Sequence, residues 1–282
     1  MPSVPVSVCI PAHNGQAHIR QTIGSILQQT FCDFELVITD DGSSDSTWDL
    51  VNSIRDPRLR IIRNEHQPGL AGNWRFAVDS CQGALVKLVC QDDLLYPGCL
   101  ARQVPVLTQD AQQRVALVCG LRDIIDGDGR KIVCGRGWGK QDEQVPAAAV
   151  IHRIVRTGRN LLGEPLTGLF RKETYQRCGG YRGDLPYCID VDLWCRLLQL
   201  GDLYAIGDSV GPFRVWGESL SCSLRDGHVS QGIAFFTSLK DSGIAPIAGW
   251  ELQLGALRCR ADALLRRALY LWLRTRGGGS GK

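Results

Sequence analysis

The sequence predicts an α/β fold organised on a mostly parallel sheet, and three observations carry that expectation. Strand, polar loop and helix alternate three times within about 90 residues, the pattern of a parallel sheet with right-handed crossovers. The strands Val4–Ile10, Phe34–Thr39 and Leu85–Val89 are nearly unbroken apolar runs, as strands buried on both faces must be. Each run stops in a polar loop at its carboxyl end, where open α/β sheets bind their ligands.

In chain order, Val4–Ile10 is stopped by Pro11-Ala12-His13-Asn14-Gly15. Ile19, Ile23, Ile26 and Leu27 recur at helical spacing, so an amphipathic helix follows and closes near Gln28–Thr30. Phe34–Thr39 runs into Asp40-Asp41-Gly42-Ser43-Ser44-Asp45-Ser46, and a helix with Trp48, Val51 and Ile54 on one side starts there. Ser44, Asp45 or Ser46 supplies its N-cap. Leu59–Arg63 is a third strand, and a helix through Trp74, Ala77 and Val78 ends at Gly83. The central strand then ends abruptly in Gln91-Asp92-Asp93, and Pro97 suits the first turn of a new helix.

Beyond that acidic pair the pattern changes. Val115–Gly120 is a strand, and Arg122–Ile125 and Lys131–Cys134 flank Asp126-Gly127-Asp128-Gly129, a hairpin by its turn chemistry. An antiparallel subdomain is therefore expected from near Leu107. Ala147–Arg156 reads as helix, Leu166–Arg171 and Leu203–Ile206 as strands, and Asp190–Leu200 as a helix closed by Gly201. The expected organisation is one part over 1–106, a second over 107–224, and a helical extension over 225–282. Gly277–Lys282 reads as a tail.

Bulk properties exclude several classes. The 282 residues are 44% hydrophobic and 22% charged, with a net charge of +3 and no interleaved basic and aromatic stripe, so no nucleic-acid partner is expected. No run of about 18 apolar residues occurs, and the N-terminus lacks a basic region ahead of an apolar one, so neither a membrane span nor a signal peptide is expected. Twelve cysteines without a CxxC pair read as reduced thiols of a cytoplasmic protein.

The two carboxylates Asp92 and Asp93 are hard oxygen ligands at a cleft edge, suited to Mg²⁺ or Mn²⁺ bridging substrate phosphates. The alternative is a polar turn whose acids sit near the dipole of the following helix. Neither GxGxxG nor GxxxxGK[ST] occurs, and Val51 stands where an EF-hand from Asp40 would need Glu. Between Tyr187 and Trp194, about 100° per residue puts Asp190 on the side of Leu193, Trp194 and Leu197, and turns Asp192 toward water.

PAHN after the first strand, TDDGSSDST after the second and QDDLLYPGCL after the fourth resemble the family 2 glycosyltransferases of the GT-A fold, in order and spacing, with similarity to about Leu224. The resemblance implies a metal-dependent, inverting transfer of one sugar from a nucleotide-sugar, a UDP-sugar foremost, to a saccharide or lipid-linked acceptor in bacterial envelope polysaccharide or glycolipid synthesis. Pro11, His13, Asn14, Asp40 and Asp41 would line the nucleoside site, with Asp41 holding the base. Asp92 would approach the ribose or donor sugar, and Asp93 would bind Mn²⁺ or Mg²⁺. Asp190 would be the catalytic base, although Ile189 stands where the family commonly has Glu. Glu164 in Gly163–Gly168 would meet the acceptor, or is a surface acid. Phe213-Arg214-Val215-Trp216 and Ser219-Leu220-Ser221 resemble a segment closing over the donor, with Arg214 on the diphosphate. Many members have His where Trp216 stands, so Trp216 stacks on a sugar or belongs to the core.

QxxRW is absent, so non-processive transfer is expected. A nucleotidyltransferase is the alternative, disfavoured because PAHNGQ is not a basic Gly-rich loop. A non-catalytic nucleotide-sugar-binding relative is the other. Residues 250–276 carry six arginines against two acids, which suits an anionic membrane surface, a dimer contact or simple packing.

Overall fold

A computed structural model describes residues 5–65, 67–217, 227–243 and 245–277. Ser219–Ser221, residues 278–282 and the side chains of Leu265 and Leu269 lie outside the described residues.

The apolar runs pair as their composition demands. β1 (Val6–Ala12) lies between β2 (Phe34–Asp40) and β4 (Leu85–Leu88), and β3 (Leu59–Arg63) extends the sheet beyond β2, all in parallel. Side chains alternate across this sheet. Val6, Val8 and Ile10 pack with Ile19, Ile23 and Ile26 of α1 (Ile19–Leu27), Val51 of α2 (Thr47–Asn52), and Leu100 and Val104 of α4 (Cys99–Thr108). Cys9, Val37, Val86 and Leu88 point the other way, onto Trp74, Ala77 and Val78 of α3 (Leu70–Asp79). Both faces are thus covered, which is why these strands carry few polar residues. Pro97 sits in the turn ahead of α4, whose N-cap is Gly98.

The second half continues the same sheet. β5 (Val115–Ile125) pairs antiparallel with β6 (Lys131–Arg136) across the Asp-Gly turn, as expected. β8 (Gly168–Arg171) bridges β4 and β5 antiparallel, and its expected first residues form a 3-10 turn, Pro165–Thr167. β9 (Asp202–Arg214) runs parallel to β5 and antiparallel to β7 (Glu143–Val145). The strand order is β3-β2-β1-β4-β8-β5-β9-β7, with β6 off that path on β5. The expected boundary at residue 107 therefore falls inside α4, and the second half is built onto the first half's own sheet. α5 (Ala147–Thr157) and α7 (Ile189–Leu197) cover one face, and α6 (Lys172–Arg177) follows β8.

β9 is far longer than Leu203–Ile206. Gly207, Asp208, Gly211 and Pro212 break its apolar pattern, yet they continue the strand through register shifts against β5. Those glycines are where other backbone comes close. A Cβ on Gly211 would lie 2.1 Å from the Leu94 carbonyl oxygen.

α9 (Gly249–Gly277) packs against α5 and α8 (His228–Asp241). Glu251 pairs with Arg156 at 2.6 Å and His152 at 2.8 Å, and Asp262 pairs with Arg159. The two acids of the helix are thus spent on α5 and its C-terminal loop. Among the described residues no helix is long and apolar enough to cross a membrane.

Gly211→Ala should cost about 2–3 kcal/mol, the upper range for overpacking, because backbone cannot move aside as a side chain tip can. Chemical denaturation of the variant beside wild type checks it; an unchanged midpoint would contradict this packing.

Candidate active site

Three loops converge at the carboxyl ends of β1, β2 and β4. The Gln91 side chain clamps the first, accepting from the His13 amide at 2.9 Å and donating to the His13 carbonyl at 2.9 Å. This fit requires a glycine next door, since a Cβ on Gly15 would stand 2.3 Å from Gln91 Oε1. Asn14, at φ 50°, accepts from the Ser44 amide at 2.8 Å, and His13 Nδ1 lies 2.9 Å from the Asp41 carbonyl oxygen. Pro11 lies within β1 itself, paired to Thr39, beyond the point where the β4 ladder ends at Cys9 and Leu88.

Asp41 faces the start of α3. Its Oδ2 accepts from the Gly69 amide at 2.7 Å and its Oδ1 from Asn64 Nδ2 at 3.3 Å. Asp40 is buried, with Oδ2 accepting from the Ser43 amide at 3.3 Å and Oδ1 without a partner. Asp45 bonds the Thr47 amide at 2.9 Å at the head of α2, whose N-cap residue is Ser46.

The acidic pair is held by the end of β9. Asp93 is fully buried, and its Oδ1 accepts from the Arg214 amide at 3.0 Å. Its Oδ2 is buried with no protein partner. Burial first, then the neighbouring Asp92 charge, pushes the Asp93 carboxyl well above the usual carboxylate range. An orphaned carboxylate oxygen beside a second carboxylate fits a hard divalent cation, because a cation would replace the missing partner.

The Arg214 guanidinium is itself buried. Nε donates to the Asp92 carbonyl at 2.9 Å, Nη1 to the Gly127 carbonyl at 2.8 Å, and Nη2 to Gln21 Oε1 at 2.9 Å. The side chain expected on the diphosphate thus spends its donors inside the protein. Trp216 sits between Asp92 and His18. Its Nε1 donates to Asp92 Oδ2 at 2.9 Å, and its ring meets the His18 ring edge-on at 4.8 Å.

Asp190 lies in the first turn of α7, its Oδ2 accepting from Asn160 Nδ2 at 3.0 Å and its Oδ1 from the Val191 amide at 2.7 Å. Burial, then the Glu164 carboxylate, pushes its pKa up to about 7. Glu164 pairs with the buried Arg122 of β5. The Cys90 thiol just past the end of β4 feels the carboxylates of Asp93, Asp92, Asp190 and Glu164, so the acid pair and Asp190 flank one strand end. Asp192, expected to face water, is instead 7% exposed. It pairs with Arg182 at 2.5 Å and Arg196 at 2.7 Å, because α7 is enclosed on all sides and its polar face meets cations rather than solvent.

Asn64, Gln91, Asn160, Arg122 and His18 join the site without any local signal; each meets its partner only through the fold.

The glycosyl transferase family 2 profile matches residues 7–160, more than half of the chain. The chain belongs to glycosyl transferase family 2. A Mycobacterium tuberculosis protein of uncharacterised function is 30% identical over 202 residues, 68% of this chain and 61% of that one. The chain spans about three-fifths of the length of the first curated relatives it matches, at 61% and 60%. The Escherichia coli UDP-Glc:alpha-D-GlcNAc-diphosphoundecaprenol beta-1,3-glucosyltransferase WfaP is 34% identical over 99 residues, 35% of this chain and 39% of that one. Staphylococcus aureus TarS 1–349 with UDP-GlcNAc superposes at a TM-score of 0.64 and 16% identity, covering 85% of this chain and 73% of that one. The mannosyltransferase PcManGT of Pyrobaculum calidifontis with GDP-Man and Mn²⁺ gives 0.58 and 20%, covering 95% and 80%. The fold of this family 2 chain is thus that of the GT-A transferases.

A raised carboxyl pKa means the folded state favours the proton. The stability Asp190 contributes is complete below its unfolded value and is lost as pH rises through about 7. Thermal unfolding of Asp190→Asn against wild type should therefore show the variant gaining relative stability between about pH 4 and pH 7, with no further gain above about pH 8. Parallel curves across that range would contradict the burial argued for this carboxyl.

Proposed function

We propose that this family 2 transferase moves one sugar from a nucleotide-sugar to an acceptor hydroxyl, with inversion at the anomeric carbon. The observation that carries this reading is the pairing of Asp93 Oδ2, buried without a partner, with a carboxyl poised near neutrality at Asp190, on either side of the end of β4.

The chemistry follows from the residues. Asp190 takes the acceptor hydroxyl's proton as the hydroxyl oxygen bonds to the anomeric carbon, and the carbon–oxygen bond to the diphosphate breaks with its electron pair leaving on the nucleotide. A base whose pKa lies near neutrality is matched to that task. Asp41, Asp40, His13, Asn14 and Pro11 line the nucleoside end, and Asp92 meets the ribose or donor sugar. Asp93, with Asp92 beside it, would hold Mn²⁺ or Mg²⁺, which when bound supplies positive charge next to the departing diphosphate. Arg214 contributes by fixing the Asp93 carboxylate and the Asp92 backbone carbonyl, and Trp216 by holding the Asp92 carboxylate.

The relatives' names support a UDP-sugar donor and a diphosphate-lipid-linked saccharide acceptor, although the GDP-Man of PcManGT shows that the fold takes either nucleotide. Trp250, Leu257 and Leu264 are 56%, 63% and 65% exposed on α9, with Arg258 and Arg260 exposed beside them. That face supports a peripheral position on an anionic membrane, where a lipid-linked acceptor would be. Sedimentation with phosphatidylglycerol vesicles should be lost in Leu257→Glu/Leu264→Glu; equal sedimentation of both proteins would remove the membrane from this reading.

Calorimetry with UDP, GDP, CDP and dTDP, each with and without Mn²⁺, tests the donor site. One nucleotide should bind with a metal requirement that Asp93→Asn abolishes, and metal-independent binding would sink the role given to Asp93. Asp190→Asn should bind the same nucleotide normally while turnover falls about 10²–10⁴-fold. Near-normal turnover would remove Asp190 as the base.

A further inference from the structure

The loop ahead of β8 is unusually well tied. Asn160 Oδ1 accepts from the amides of Leu162 at 3.1 Å and Gly163 at 3.0 Å, and its Nδ2 donates to the Gly163 carbonyl at 2.9 Å. Trp194 Nε1, from α7, donates to that same carbonyl at 2.9 Å. Gly163 sits at φ 94°, and a Cβ there would stand 2.7 Å from Thr167 Cγ2 and 3.0 Å from Arg122 Nη1. The loop therefore has one conformation, and it delivers two groups toward α7. One is the Asn160 amide, which reaches Asp190 Oδ2 at 3.0 Å. The other is Glu164, held back by Arg122.

We propose that Asn160 is the positioning residue of Asp190. Its amide fixes the plane of the carboxylate and favours the charged, proton-accepting form, while Glu164 on the same loop opposes that charge. The proposal rests on Asp190 being the base for its catalytic meaning, but not for its geometry. The carboxylate plane is pinned at both oxygens, by Asn160 on one and the Val191 amide on the other, which leaves each oxygen one further acceptor direction. A loop amide that merely closed its own turn would need only Gly163 and Leu162, so the added bond to Asp190 links the loop to the base.

The groups surrounding Asp190 are Glu164 and Arg122 from the loop and β5, Cys90 from β4, and Tyr181 and Cys188 ahead of α7. Burial pushes both thiols and the phenol up, so all three stay neutral between pH 5 and 9. Among the described residues, Glu164 and Arg122 are the main charges acting on Asp190 there. A hydrogen bond to a carboxylate lowers its pKa and a nearby like charge raises it, so the two loop groups pull in opposite directions.

The test needs no substrate. The slope against pH of the stability difference between a protein and its Asp190→Asn counterpart, followed from pH 5 to 9, falls from its full value to zero with its midpoint at the folded-state pKa of Asp190. Measured in the Asn160→Ala background, that midpoint should move up by about 1 pH unit, the worth of one hydrogen bond to a charged group. In the Glu164→Gln background it should move down. Asn160→Asp keeps the oxygen that accepts from Leu162 and Gly163 and replaces only the donor, so it should fold where alanine fails and move the midpoint up further. If Asn160 is a loop staple alone, its variants lower the melting temperature at every pH and leave the midpoint in place, which overturns the proposal. A midpoint that moves while Asp190→Asn still turns over would uphold the positioning and defeat the base assignment instead.

Discussion

The site depends on one buried cation. The Arg214 guanidinium has been taken out of water, a cost that only a full set of acceptors can offset. Those acceptors come from the loop after β4, the hairpin after β5 and the first helix, so a single side chain ties three segments together. Its own amide takes one oxygen of Asp93. Around it the loop continues to pair with β9, the Leu94 amide donating to the Pro212 carbonyl at 3.1 Å and the Tyr96 amide to Val210 at 2.8 Å. The acidic pair is thus positioned by strand-like hydrogen bonding rather than left on a free loop, and rigid support of this kind is what a charge-stabilising site requires.

The first half was legible because its information is local. A run such as FELVITD is a strand by composition, its alternation sorts α1 from α3 onto opposite faces, and the acids follow wherever the run ends. The second half was legible only in fragments. Gly211 and Pro212 look like strand breakers until Leu94 is seen pressing against that backbone, and the parallel pairing of β5 with β9 has no marker in either segment. Asp192 shows the limit of a helical wheel. The wheel separates its direction from that of Asp190 correctly, but it cannot say that the far side is occupied by Arg182 and Arg196 rather than by water.

Asp190 and its neighbours show the same division. Asp190 could be placed in a first helical turn from spacing, but its environment could not, because Asn160, Glu164 and Arg122 come from other elements. Arg214 was expected on the diphosphate, yet its donors are spent on protein acceptors, which makes it scaffold. A buried arginine and a phosphate-binding arginine look alike in a sequence; only the list of acceptors around the guanidinium separates them.

The contact between Arg214 and Asp93 also joins residues separated by 121 positions. The first three βα units close through short-range crossovers and can form early, whereas the acidic loop waits for a strand that comes more than a hundred residues later. Contacts of that separation are slow to form because chain entropy is lost before they repay it. On a ribosome, the loops after β1 and β2 are therefore assembled well before the carboxylates beside them are fixed. A partly synthesised chain has a loose acidic loop, which is fixed in one late step, when β9 inserts between β5 and β7.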